Sequence, residues 1–203
     1  MALISKGNRK IGDIPNTSFP PVITCRPGAP CATDGCYALK FYRMYPSTHK
    51  AWDDNWNLYN EDPATYWERL YAAFATTRYF RYFVSGDIPD IGYGREMVNA
   101  AIHNPKTEFL CFTKQYEIMN EVRRLADEER IAWPENLHIL YSGREGLEPD
   151  NPYGFPETAV ITKDMTEVPD DWKICGGNCT DCACRGVGCW QVKEGETIAF
   201  YKH

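Results

Sequence analysis

The chain has 203 residues, 22 Lys and Arg against 28 Asp and Glu, with 43% hydrophobic and 14% aromatic residues. That length suits one domain able to bury its own core, and that composition excludes an intrinsically disordered chain. A net charge of −6 argues against a general polyanion binder, which is normally basic.

The opening MALISKGNRKIGD lacks the apolar run of a secretory signal, and no stretch of about 18 apolar residues suggests a membrane span. A cytoplasmic protein is expected. Residues 1–35 read as loop, punctuated by Asn16, Pro20, Pro21, Pro27, Gly28, Pro30 and Gly35, with at most a short strand at Val22–Thr24. A helix is predicted from Cys36 to Met44, ending before Pro46. A second starts with Ser47 as cap and shows Trp52, Trp56 and Tyr59 on one face. A third starts at Asp62-Pro63 and carries the apolar stripe Tyr66, Trp67, Leu70, Tyr71 and Phe74.

Alternation follows. Strands are predicted at Arg81–Ser85, Glu108–Thr113, Leu137–Ser142 and Thr158–Thr162, with helices at Arg95–His103 and Tyr116–Ile131. Ile118, Met119, Val122 and Leu125 face inward on the last of these helices. Trp172–Cys175 leads into a Gly/Cys loop, and Thr197–Tyr201 is a final strand before Lys202 and His203. Strand-helix alternation of this kind signals parallel strands joined by right-handed crossovers. The expected fold is α/β and partial (β/α) barrel-like: a mostly parallel sheet with flanking helices and a cysteine-rich C-terminal loop. It forms a single domain over 1–203, made of an N-terminal cysteine loop and first helix (1–46), an α/β core (47–165) and a metal-binding tail (166–203).

The nine cysteines are the unusual feature. Disulfides are rare in the cytosol and an odd count cannot pair fully, so clustered thiols there point to metal. Cys25, Cys31 and Cys36 read C-x5-C-x4-C. Three thiolates can hold three irons of a cubane cluster and leave the fourth open, or supply three of four zinc ligands. Cys175, Cys179, Cys182 and Cys189 give four sulfurs in a short span, the ligand count of a cubane or of a structural zinc that pins the tail. Cys184 is spare, and Cys111, between Leu110 and Phe112, reads as a core thiol. His49, His103 and His138 show no metal-pair spacing.

Ligands of parallel α/β sheets gather at the carboxyl ends of the strands. Three predicted strands end in polar residues: Ser85-Gly86-Asp87, Thr113-Lys114 and Ser142-Gly143-Arg144. They bring hydroxyls, a carboxylate and two cations to one rim, although such residues are also ordinary turn formers. The aromatic stripes read as core rather than as a base-stacking platform. Arg69, Arg78 and Arg81 are close enough in sequence to form a local basic face, so a nucleic-acid partner stays open.

The segment Thr24–Lys40 (TCRPGAPCATDGCYALK), Arg43–Pro46, Val84–Asp87, Phe112–Lys114, Cys179-x2-Cys182, Cys189-Trp190 and Ile198–His203 together resemble the phage "gene product 88" family over most of the chain. That resemblance implies a phage or mobile-element origin. The layout is also similar to that of radical S-adenosylmethionine enzymes, which carry three cysteines in the loop after the first strand of a partial barrel and a polar Gly motif at the next strand end. The spacing is not their C-x3-C-x2-C. The similarity implies [4Fe-4S] chemistry at Cys25, Cys31 and Cys36, with S-adenosylmethionine near Ser85, Gly86, Asp87, Thr113 and Ser142. It also implies Asp87 on the amino group, Lys114 and Arg144 on a carboxylate or phosphate, an external reductant, and an auxiliary cluster on the C-terminal cysteines. The substrate, small or macromolecular, is not named by the sequence. Two other classes remain: a zinc-stabilised protein that binds a partner or nucleic acid, and an iron–sulfur protein for electron transfer or sulfur donation.

Overall fold

Two aspartates start the helices that frame the core. In the computed structural model, which describes residues 3–201 apart from 34, 145, 163, 164 and 166, Asp62 accepts from the Thr65 N–H at 3.0 Å and caps α4 (Pro63–Phe74; the preceding helices are α1, Pro30–Thr33, α2, Tyr37–Met44, and α3, Pro46–Glu61). Asp90 accepts from the Tyr93 N–H at 2.8 Å and caps α5 (Ile91–His103). Each cap satisfies a donor that the first helical turn leaves orphaned. This cap starts α5 earlier than the predicted Arg95. Helix α3 begins at Pro46 rather than after a Ser47 cap, because proline tolerates the first helical position without loss of a hydrogen bond.

Among the described residues there are seven strands, of which β1 and β6 lie outside the expected alternation: β1 (Asn16–Thr17), β2 (Tyr79–Tyr82), β3 (Glu108–Thr113), β4 (Leu137–Ser142), β5 (Glu157–Ile161), β6 (Lys173–Ile174) and β7 (Thr197–Tyr201). Their order is β1-β2-β3-β4-β5-β7-β6 and every pairing is parallel. Helix α6 (Tyr116–Glu128) follows β3, and α7 (Cys179–Arg185) with a 3-10 turn at Gly188–Trp190 lies between β6 and β7. The short first strand is at Asn16–Thr17, while Val22–Thr24 is turn. Lys202 and His203 lie outside the described residues. Among the described residues no helix is long and apolar enough to cross a membrane.

The sheet is open, with β1 and β6 as its edges, but it curls. Phe112 on β3 and Phe200 on β7 stand 5.8 Å apart, ring to ring, although β4 and β5 lie between their strands. A flat sheet would hold those two strands about 14 Å apart, at ~4.8 Å per step. Side-chain alternation sends Phe80, Tyr82, Phe109, Cys111, Ile139 and Tyr141 to the convex face, under Tyr66, Trp67, Leu70 and Phe74 of α4 and Met97 of α5. Cys111 is fully buried there, as a core thiol. The concave face carries Leu110, Leu140 and Ile198 and is filled by Ala183, Cys189, Trp190 and Val192 of the C-terminal tail. The tail thus covers the sheet face that crossover helices leave bare.

Candidate metal centres and the strand-end rim

The carboxyl end of β1 runs directly into the cysteine loop, and polar side chains from the next two strand ends fasten that loop down. The Asp87 N–H donates to Thr24 Oγ1 at 3.0 Å. Asp87 Oδ1 accepts from Thr113 Oγ1 at 2.6 Å and the Ile88 N–H at 2.8 Å, and Oδ2 accepts from the Lys114 N–H at 2.8 Å. Gln115 closes the ring, its Nε2 donating to the Thr24 carbonyl at 2.9 Å and its N–H to Thr113 Oγ1 at 2.9 Å. Burial pushes the Asp87 carboxyl above its ordinary value, against the pull of those hydrogen bonds. Ser85 is buried too, and its hydroxyl has no partner among the described residues.

Loop and strand ends meet closely because Gly86, at φ +75°, presents no side chain to Thr24 and Phe19. Arg26, next to Cys25, reaches α6, where its Nη2 pairs with Glu117 at 2.6 Å and its guanidinium covers the Tyr116 ring at 5.2 Å. Tyr37 donates to the Val84 carbonyl at 2.5 Å. Asp87 and Thr113 with the Lys114 backbone therefore form one unit. The Ser142 carbonyl accepts from Tyr116 at 2.6 Å, the ring that Arg26 covers. Arg144 pairs its backbone with Leu147 beyond the end of β4.

The three N-terminal thiols sit on this rim. Cys25 Sγ accepts from the Val22 N–H at 3.3 Å, with Val22 in a strained left-handed conformation at φ 75°. Cys36 caps α2, its sulfur accepting from the Leu39 N–H at 3.4 Å. Burial pushes the Cys25 thiol up to about 11, with Asp87, Cys31 and Cys36 adding to the rise. An open groove of about 590 Å³ runs beside Cys36, lined by Leu39, Lys40, Arg43 and Met44 among others.

The four C-terminal thiols form a second group. Each of Cys175, Cys179 and Cys182 acts on Cys189, whose thiol burial pushes up to about 12. Burial likewise raises Cys179 and Cys182. Cys175 Sγ accepts from the Gly177 N–H at 3.4 Å. Gly176 and Gly188 lie against the Cys182 sulfur, where a methyl group would stand 3.7 and 3.4 Å from it. Cys184 is exposed. The tail is fastened to the start of the chain ahead of the cysteine loop: Thr180 donates to the Ile11 carbonyl at 3.1 Å and accepts from the Asp13 N–H at 3.1 Å. Cys31 and Cys36 act on Cys25, and Cys175, Cys179 and Cys182 on Cys189, so the thiols interact as two groups.

Sequence places Arg81 at the start of a strand and, with Arg69 and Arg78, in a local basic face. It instead enters the concave side, while Arg69 lies on α4 across the sheet. Its Nη1 points at Cys179 Sγ at 3.5 Å and its guanidinium lies 4.7 Å over Phe112. Strand alternation next to Phe80 and Tyr82 carried that signal. Thr24 and Gln115 had none beyond their adjacency to Cys25 and to the Thr113-Lys114 pair.

Among the described residues no three His, Cys, Asp or Glu side chains close around a single point. The donor chemistry nevertheless suits thiophilic metal. Sulfurs in both groups already accept N–H hydrogen bonds, and crowded thiols that raise one another's pKa are relieved when a metal cation takes their protons' place. A protein-family model described as gene product 88 matches residues 2–196. No curated protein and no solved structure matches the chain.

Proposed function

The chain belongs to the gene product 88 family, and from that premise we propose an iron–sulfur protein of phage or mobile-element origin, with a radical S-adenosylmethionine-like site at Cys25, Cys31 and Cys36 and an auxiliary centre at Cys175, Cys179, Cys182 and Cys189. The observation that carries this reading is the position of the first three thiols. They occupy the segment after the first parallel strand, with Cys31 in α1 and Cys36 as the cap of α2, and Thr24 ties that segment to the Ser85-Gly86-Asp87 strand end, where ligands of such sheets bind. The chemistry that such a cluster supplies with S-adenosylmethionine is reductive cleavage of the sulfonium by an external one-electron donor.

The chain's own residues bind and orient. Lys40 and Arg43, in the groove beside Cys36, and Lys114 and Arg144 at the strand ends are cations suited to a carboxylate or phosphate on cofactor or substrate. Asp87 keeps a negative field beside Cys25 that suits an amino group. Its oxygens already accept three hydrogen bonds from the chain, so it also holds the loop in register.

A second reading has its own support. The C-terminal thiols sit where the tail is fastened to residues 10–13, which suits a zinc clip in a non-catalytic protein that binds a partner or nucleic acid. Anaerobic purification with iron, sulfide and zinc counted per chain separates the two. About eight irons means two cubanes and about four means one, whereas zinc without iron removes the radical reading. Iron-loaded protein given S-adenosylmethionine and dithionite is then expected to release 5′-deoxyadenosine. Iron without that product leaves electron transfer or sulfur donation.

A further inference from the structure

Arg81 is a cation turned into the concave face with no carboxylate against it among the described residues. The chain has 28 Asp and Glu against 22 Lys and Arg, yet none of the described carboxylates pairs with this inward guanidinium, which needs another counter-charge. Sulfur is what lies beside it. Its Nη1 is 3.5 Å from Cys179 Sγ, Phe112 covers its face at 4.7 Å, and its Nε is buried without an acceptor. The hydrogen bonds of Cys179 and Trp190 fix the target, because Trp190 Nε1 donates to the Cys179 carbonyl at 3.2 Å and the Cys179 N–H donates to Lys10. The cations Lys10 and Arg185 also act on this group of thiols, at Cys179 and Cys182. The Cys25 loop has instead the Asp87 carboxylate as neighbour.

We infer that Arg81 is the counter-ion and hydrogen-bond donor of the C-terminal thiolate centre, a positioning residue that holds the Cys179 sulfur and sets how tightly the centre keeps its metal. The inference rests on the reading of Cys175, Cys179, Cys182 and Cys189 as ligands. Four thiolates on a divalent metal leave a net negative centre, and a guanidinium at hydrogen-bond range offsets it. Outer partners of this kind govern metal affinity by about 10–100-fold.

Cobalt(II) is the probe. Titrated anaerobically into the metal-free full-length chain, it reports thiolate ligation by its charge-transfer bands, and the part of the signal lost in Cys179→Ser belongs to the C-terminal centre. Arg81→Gln is expected to weaken cobalt binding at that centre at least tenfold, and Arg81→Lys severalfold, since a point charge cannot keep both the sulfur and the Phe112 contact. Arg78→Gln is expected to bind as the parent does. In iron-loaded protein, loss of the cation is expected to lower the midpoint potential, since a positive neighbour favours the more negative, reduced centre. Cobalt affinity in Arg81→Gln within about twofold of the parent would overturn the inference while the thiolate centre stands. If Arg81→Gln does not fold, unchanged affinity in Arg81→Lys overturns it equally. Cobalt bands that survive intact in Cys179→Ser overturn the ligand reading itself, and the role of Arg81 with it.

Discussion

A methyl group on Gly86 would stand 2.7 Å from the Thr24 hydroxyl. The same methyl would meet Phe19 Cβ at 2.9 Å, and the backbone is at φ +75°, a conformation that costs an L-residue roughly 1–2 kcal/mol. Gly86→Ala should therefore destabilise the chain by more than that amount, since the loop must also lift. A lower urea midpoint should come with faster alkylation of Cys25 by iodoacetamide. Unchanged Cys25 reactivity would mean that the cysteine loop is not seated on this strand end.

Thr113 and Asp87 give a pH-dependent prediction. Burial holds the Asp87 pKa above its ordinary value, so the folded chain binds that proton more tightly than the unfolded chain. The stability this contributes is full below the ordinary carboxylate range and is lost as pH rises through the raised folded value. Thr113 donates to the ionised form at 2.6 Å. Thr113→Val withdraws that donor, raises the folded pKa further and enlarges the loss. Its cost in urea unfolding should be greater at pH 7 than near pH 4 by about 1.5–3 kcal/mol, the worth of a hydrogen bond to a charged group. Equal costs at both values would contradict an ionised Asp87 in the ring.

The parallel core was legible because β3, β4 and β7 are short apolar runs bounded by turn residues, and each has the bounds that its pattern predicts. The polar strand ends were legible for the same reason, since they close those runs. β1 was not, because Asn16 and Thr17 have neither alternation nor apolar character and are made a strand by pairing with β2 and, at Asn16, with Ser5. β6 is only two residues long, in the stretch that leads into the Gly/Cys segment, and α7 was hidden in that segment, which reads as loop; α7 is secured by Asn178, which accepts from the Asp181 N–H at 3.1 Å, and by Gly186 in the left-handed conformation. The seat of the tail on the concave face depends on residues 10–13 from the other end of the chain, a contact that local pattern cannot carry. Arg81 was misread with it, because only that seat makes the bare face an interior.

Cys184 and Cys189 separate ligand from bystander. Cys184 is exposed on α7, whereas Cys189 is buried against the other three thiols. Cys184→Ser should leave the metal count per chain at the parent value, and Cys189→Ser should remove the C-terminal metal. The check is elemental analysis of both variants purified anaerobically. A parent-like count in Cys189→Ser, or a loss in Cys184→Ser, would reassign the fourth ligand.

Trp190 links the stability of the concave core to the thiols. Its ring is 2% exposed and packs edge-on to Tyr79 at 5.1 Å, while its Nε1 holds the Cys179 carbonyl. Trp190→Ala opens a cavity beneath α7 and should cost about 3–5 kcal/mol. Phe74→Ala, in the convex core with 1% exposure, should cost a similar amount. The two differ in what else they disturb. Trp190 follows Cys189 directly and braces Cys179, so its loss unseats two of the four sulfurs even in molecules that stay folded. Phe74 packs against Phe80 and Phe109 across the sheet and touches none of them. At a temperature where both variants remain folded by circular dichroism, Trp190→Ala should lose its C-terminal metal to a chelator faster than the parent, and Phe74→Ala should not. Equal metal loss in the two would tie retention to global stability and remove Trp190 from the support of the centre.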